Sequence, residues 1–139
     1  MHLRIDYAIQ PSGLIASAKT YTLVVRDGHL YGIHIGPAGN PVRTTDPISR
    51  WAVNWVYKRI AVKVEEGMAR FANSDMETMA REKHSFKSPL SGVTEAEVHG
   101  YGDGVQLRFR VDNKKYRFNI RGEYGDRVTQ LLGAVSQKA

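Results

Sequence analysis

Apolar and polar positions alternate with period two along most of this chain, and one long stretch in the middle switches to helical spacing. The clearest alternation lies near the C-terminus. Val105, Leu107, Phe109 and Val111 are apolar and interleave with Gln106, Arg108 and Arg110. After Asp112-Asn113, Tyr116, Phe118 and Ile120 interleave with Lys115, Arg117, Asn119 and Arg121. Such alternation gives each strand one buried and one wet face, so the stretch predicts a hairpin. A second hairpin is predicted nearer the start. Tyr21 to Val25 and Leu30 to Ile35 are rich in β-branched and aromatic residues, and Asp27-Gly28 lies between them. Both central residues of a type I′ turn need positive φ, and Asp-Gly supplies them readily. Leu3 to Ile9 alternates weakly, as a short strand or an arm. Leu14 to Ala18 is ambiguous. Strand signals also cover His84 to Ser88, ended by Pro89, and Val93 to Tyr101.

The breaker cluster Gly36-Pro37-Ala38-Gly39-Asn40-Pro41 closes the first hairpin. Thr45 or Asp46 then suits a helix cap, with Pro47 in the first turn, where a missing N–H costs nothing. Ile48, Trp51, Ala52, Trp55 and Val56 make one apolar stripe at helical spacing. Val53, Tyr57, Ile60 and Val64 make another on a neighbouring face, the pattern of a helix buried on more than one side. Gly67 is a candidate break. Met68, Phe71, Ala72, Met76, Met79 and Ala80 carry the period on to about Lys83, as one broken helix or two in series. This block, 47 to 83, reads as an insertion between strands. The chain ends on an amphipathic helix with Tyr124, Val128, Leu131, Leu132 and Val135 on one face. Glu123 and Asp126 near its start suit the helix dipole.

The chain has 139 residues, the size of a single domain, here taken as 1 to 139. At that length roughly two-thirds of the unfolded surface is buried, so no disulfide or metal is needed for stability. The absence of cysteine rules out disulfides, thiolate metal sites and cysteine nucleophiles. No signal-like apolar run opens the chain and no run is long enough to span a bilayer, so the expectation is a soluble, cytoplasmic protein. Twenty Lys and Arg against fourteen Asp and Glu leave +6, which favours anionic partners. Residues 101 to 139 hold eight basic and four acidic side chains, and so carry +4 of that charge.

Two blocks resemble bacterial pleckstrin-homology-like and GRAM-like domains. One is Lys87-Ser88-Pro89-Leu90-Ser91-Gly92-Val93-Thr94-Glu95-Ala96-Glu97-Val98, followed by the basic-aromatic strand Lys114-Lys115-Tyr116-Arg117-Phe118 and a closing helix. The other is Tyr21 to Tyr31, which resembles the first hairpin of those domains. The resemblance implies an α+β fold: a bent β-sandwich or partly open barrel of about seven strands, capped by the C-terminal helix and carrying the insertion at 47 to 83. It also implies a non-enzymatic scaffold that binds lipid headgroups, peptides or proteins. Phosphoinositide-binding members carry several cations around the first hairpin loop. Arg26-Asp27-Gly28-His29 supplies one cation beside an acid, which argues against inositol phosphate recognition there.

Catalytic patterns are missing. His29 and His34 are five apart in one strand, so they point to opposite faces. His2, His84 and His99 stand apart in sequence from any ligand-spaced carboxylate. There is no P-loop, nucleophile elbow or dinucleotide fingerprint. Gly100-Tyr101-Gly102-Asp103-Gly104 lies between strands and reads as a turn. The expectation is no enzyme, no cofactor and no metal. Two surfaces remain. Arg108, Arg110, Lys115, Arg117 and Arg121 share the outward phase of the late hairpin, where they would attract phosphates of lipid or nucleic acid, or serve only as a solvated face that resists edge aggregation. Trp51 and Trp55, flanked by Arg50, Lys58 and Arg59, suit a protein or membrane contact, or packing onto the domain. The function read from sequence is a binding or adaptor module, most of all for protein or self association and next for an anionic lipid surface. A nucleic-acid-binding protein using the basic face of 105 to 121 is the alternative.

Overall fold

The structure, a computed structural model, describes residues 2–11, 18–38 and 47–136, without the side chains of 47–54, 56–57 and 136. The expected helix cap at Thr45 or Asp46 and most of the ambiguous stretch 14–18 lie outside these residues. The chain runs β1 (Leu3–Gln10), β2 (Lys19–Arg26), β3 (His29–Pro37), α1 (Pro47–Asn73), α2 (Met76–Ala80), β4 (Phe86–Pro89), β5 (Val93–Tyr101), β6 (Gly104–Val111), β7 (Lys114–Ile120) and α3 (Gly125–Ser136). All seven strands join one antiparallel sheet in the order β4-β3-β2-β1-β7-β6-β5. The sheet does not close, since β4 and β5 are its two edges.

Turn chemistry explains the hairpins. Asp27 and Gly28 both have positive φ (53° and 74°), as do Asp112 and Asn113 (50° and 66°), which fits the twist-matched two-residue turn. Gly102 (φ 56°) opens the β5–β6 turn, so the glycine-rich 100–104 stretch is a hairpin connection. β1 carries a bulge between Ile5 and Ala8, with Tyr7 at φ 57°. β1 is therefore the first hairpin's leading strand. The turn at Asp27-Gly28 joins the second strand to the third.

Two apolar clusters sandwich β2 and β3. The larger lies in the hollow of the sheet, built from Ile5, Leu23, Val25, Leu30, Leu107, Phe109, Phe118 and Ile120, and is closed by Val128, Leu131 and Val135 of α3. The smaller lies on the opposite face, where Val24, Tyr31, Ile33 and Ile35 meet Met76, Met79 and Ala80. Burial on both faces is why Tyr21–Val25 is buried at every position, Thr22 included, and shows no alternation. Tyr31 Oη donates to Glu77 Oε1 at 2.5 Å, and Lys87 Nζ lies 3.0 Å from Glu77 Oε2. These bonds, Tyr31's first, hold the Glu77 carboxyl below its usual range and tie α2 to β3 and β4.

The insertion is two helices in series, but the break is not at Gly67. α1 passes through Gly67 unbroken and stops at Asn73, and Asp75 caps α2 by accepting from Glu77 N–H. A Cβ on Gly67 would sit 2.0 Å from the Ile35 carbonyl oxygen. The glycine is there because helix and strand backbones touch.

Candidate functional site

The register of β6 and β7 brings the predicted cations together. Arg108 stands opposite Arg117 and Arg110 opposite Lys115. Like charges directly opposite repel, and β5 relieves part of this. Arg108 is 3.9 Å from Glu97, and Arg110 is 3.2 Å from Glu95. Arg121 leaves the group: its guanidinium lies over the Tyr7 ring at 4.8 Å and is 3.8 Å from Glu123. Lys115 and Arg117 remain exposed, with no carboxylate within 4 Å among the described residues.

These two cations border a groove of about 950 Å³ where the sheet splits. β1 meets β7 at Ile9 opposite Asn119 and ends at Gln10, while β7 continues away from it to Lys114. Lys115, Tyr116 and Arg117 all line the groove. Successive strand residues point to opposite faces, so the groove opens along the free edge of β7. Lys19, Arg108 and Lys114 join them, giving five cations against the carboxylates of Glu95 and Glu97. The rings of Phe109 and Tyr116 form its floor and are buried.

Sequence reading missed Lys19, Lys114, Tyr21 and His84. Lys114 was visible in the motif; the other three come from strands and turns far apart in the chain. His84 is not isolated, because its ring centroid is 5.3 Å from that of His34, fifty residues away. Tyr21 Oη donates to the His84 carbonyl at 2.7 Å and fixes this corner. Burial, then His84, then Lys19 push His34 below its usual range, against a smaller opposite pull from Glu82. His99 is not isolated either: its Nε2 is 3.3 Å from Oε1 of Glu97, two residues earlier on the same face of β5. Among the described residues no three acidic or imidazole groups gather as a metal site.

On the far side of the molecule, α1 divides along its length. Ile60, Val64, Gly67, Met68 and Phe71 are half-buried toward the sheet. Trp55 and Val62 are about half exposed, at 50% and 53%, and Arg59 lies over the Trp55 ring at 4.9 Å. Trp55 is therefore not packed onto the domain. The side chains of Arg50 and Trp51 lie outside the described residues. No helix among the described residues is long and apolar enough to cross a membrane. Comparison of this chain with family models, with curated proteins and with solved structures gave no match.

Proposed function

We propose that the protein is a binding module of pleckstrin-homology-like architecture whose groove takes a phosphate-bearing headgroup at an anionic lipid surface. The seven-strand order, the split sheet and the closing helix α3 support that architecture. One observation carries the ligand class: Lys115 and Arg117, with no ion-pair partner among the described residues, line a groove that also holds Lys19, Lys114 and Arg108. Phosphate oxygens satisfy several cations at once, and arginine presents a fork that matches them. The same charges attract nucleic acid, but Phe109 and Tyr116 are 3% and 6% exposed. They offer no stacking face, which single-stranded nucleic acid wants. The reading moves the anion site from the outer sheet face as a whole to its border with the sheet's split, leaving Arg110 and Arg121 outside.

Flotation with anionic and neutral vesicles at low and physiological salt tests it. The expected result is binding to anionic vesicles alone, weakened by salt and reduced about tenfold or more in K115A/R117A, since each charge near a membrane surface contributes about 1 kcal/mol. Absence of binding, or binding unchanged in that variant, overturns the reading.

A further inference from the structure

The outer face of α1 is a separate surface with its own pattern. At roughly 100° per residue, Trp55, Lys58, Arg59, Val62, Glu65 and Glu66 fall within about 120° of arc. That arc lies opposite the face that meets β3. Trp55 and Val62 run down its middle. Lys58, Arg59, Lys63 and Glu66 flank a shallow groove of about 410 Å³ along it. Within the arc two cations precede Val62 and two carboxylates follow it, and the exposed Lys63 lies just beyond its edge. None of the four makes an ion pair within the chain among the described residues.

We propose that this face docks a second copy of the same chain, α1 against α1, antiparallel, about a two-fold axis near Val62. Charge complementarity selects that occupant. A two-fold perpendicular to the helix keeps each flank of the stripe on its own side and reverses its direction. On one flank Lys58 of one copy then faces Glu65 of the other. On the other flank Arg59 faces Glu66. The symmetry repeats both pairs, so four opposite-charge contacts form, with Lys63 of each copy at the rim of the Arg59–Glu66 flank. Val62 packs on Val62. Trp55 lies over Ala69 of the other copy, whose small side chain leaves room for the ring. A parallel pairing would set Lys58 beside Lys58 and Glu65 beside Glu65. Affinity comes from covering Trp55 and Val62, and exposed ion pairs add little. Their contribution is register and choice of partner. The contact is independent of the groove at β7, on the other side of the sheet.

Sedimentation of the full chain over the micromolar range tests this, with circular dichroism checking each variant's fold. The wild type is expected to double its mass with rising concentration, and V62D to stay monomeric with an unchanged spectrum. K58E/R59E and E65K/E66K are each expected to be monomeric alone, because every facing pair becomes like-charged. Mixed, they regain complementarity at all four contacts and should form a heterodimer. A wild type that stays monomeric throughout overturns the proposal. So does a dimer that persists in both charge variants, or folded charge variants that fail to associate when mixed.

Discussion

Two glycines in helices have opposite roles, and substitution separates them. Gly67 touches the backbone of β3, and a Cβ there would meet the Ile35 carbonyl oxygen at 2.0 Å. Neither backbone yields without moving helix from sheet, so Gly67→Ala is expected to destabilise by about 1–3 kcal/mol despite alanine's better helix propensity. Gly133 in α3 has open space around it. Gly133→Ala should stabilise by about 0.5–1 kcal/mol. Urea melts of both variants check the pair, and equal signs would contradict the packing. Gly67 looked like a break because spacing along one helix carries no trace of a carbonyl thirty-two residues earlier. His34 was likewise unreadable, since its neighbours come from β2, the turn at His84 and Lys19. Its imidazole is held below the ordinary value of 6.5, by burial first. The unfolded chain thus takes up the proton before the folded one, and stability falls as pH drops below about 6.5. His34→Gln should flatten the decline of the melting temperature between neutral and mildly acidic pH. An unchanged slope would remove His34 as its source.

At the scale of elements, most of the fold was legible wherever local chemistry decides it. Asp27-Gly28 and Asp112-Asn113 sit between apolar runs, and both became tight turns with positive φ. Gly28→Ala should cost about 1–2 kcal/mol, because an L-residue resists that conformation even with open space around its Cβ. Gly28→Asn should cost less, since Asn visits that region readily. A thermal melt ranks the three, and Asn falling below Ala would count against the turn as the cause. The late hairpin kept its predicted phase, with Leu107, Phe109, Tyr116 and Phe118 inward. Gln106 is the exception: it lies in the polar phase yet is buried, donating to Asn119 Oδ1 at 2.8 Å and accepting from Arg108 Nε at 2.8 Å. The candidate site was half legible for the same reason. Alternation placed Arg108, Lys115 and Arg117 on one face. It could not show that β1 parts from β7 beyond Asn119, and that parting makes a groove out of a face.

For the whole molecule, the decisive feature is that β2 and β3 belong to both clusters. Leu23, Val25 and Leu30 face the larger, and Val24, Tyr31 and Ile33 the smaller. The helical insertion is therefore not an appendage at its C-terminal end, because α2 and the second half of α1 cover the back of the central strands. Met79 sits in the middle of that cover and is 1% exposed. Met79→Ala should cost about 2–5 kcal/mol, as a cavity left under a close-packed face. Where the cost appears is the stronger test. If the two clusters share their strands energetically, the variant speeds amide exchange in β6 and β7, which share no cluster with α2, as much as in β3, and the chain still melts in one transition. If the insertion opens by itself, exchange rises in α1 and α2 and stays slow in β6 and β7. The shared strands favour the first outcome, since loosening Tyr31 and Ile33 from the back removes support from Leu30 at the front. Trp55 and Val62, on the outer face of α1, belong to neither cluster, so slowing of the amides around them as concentration rises would mark the surface that a second copy covers.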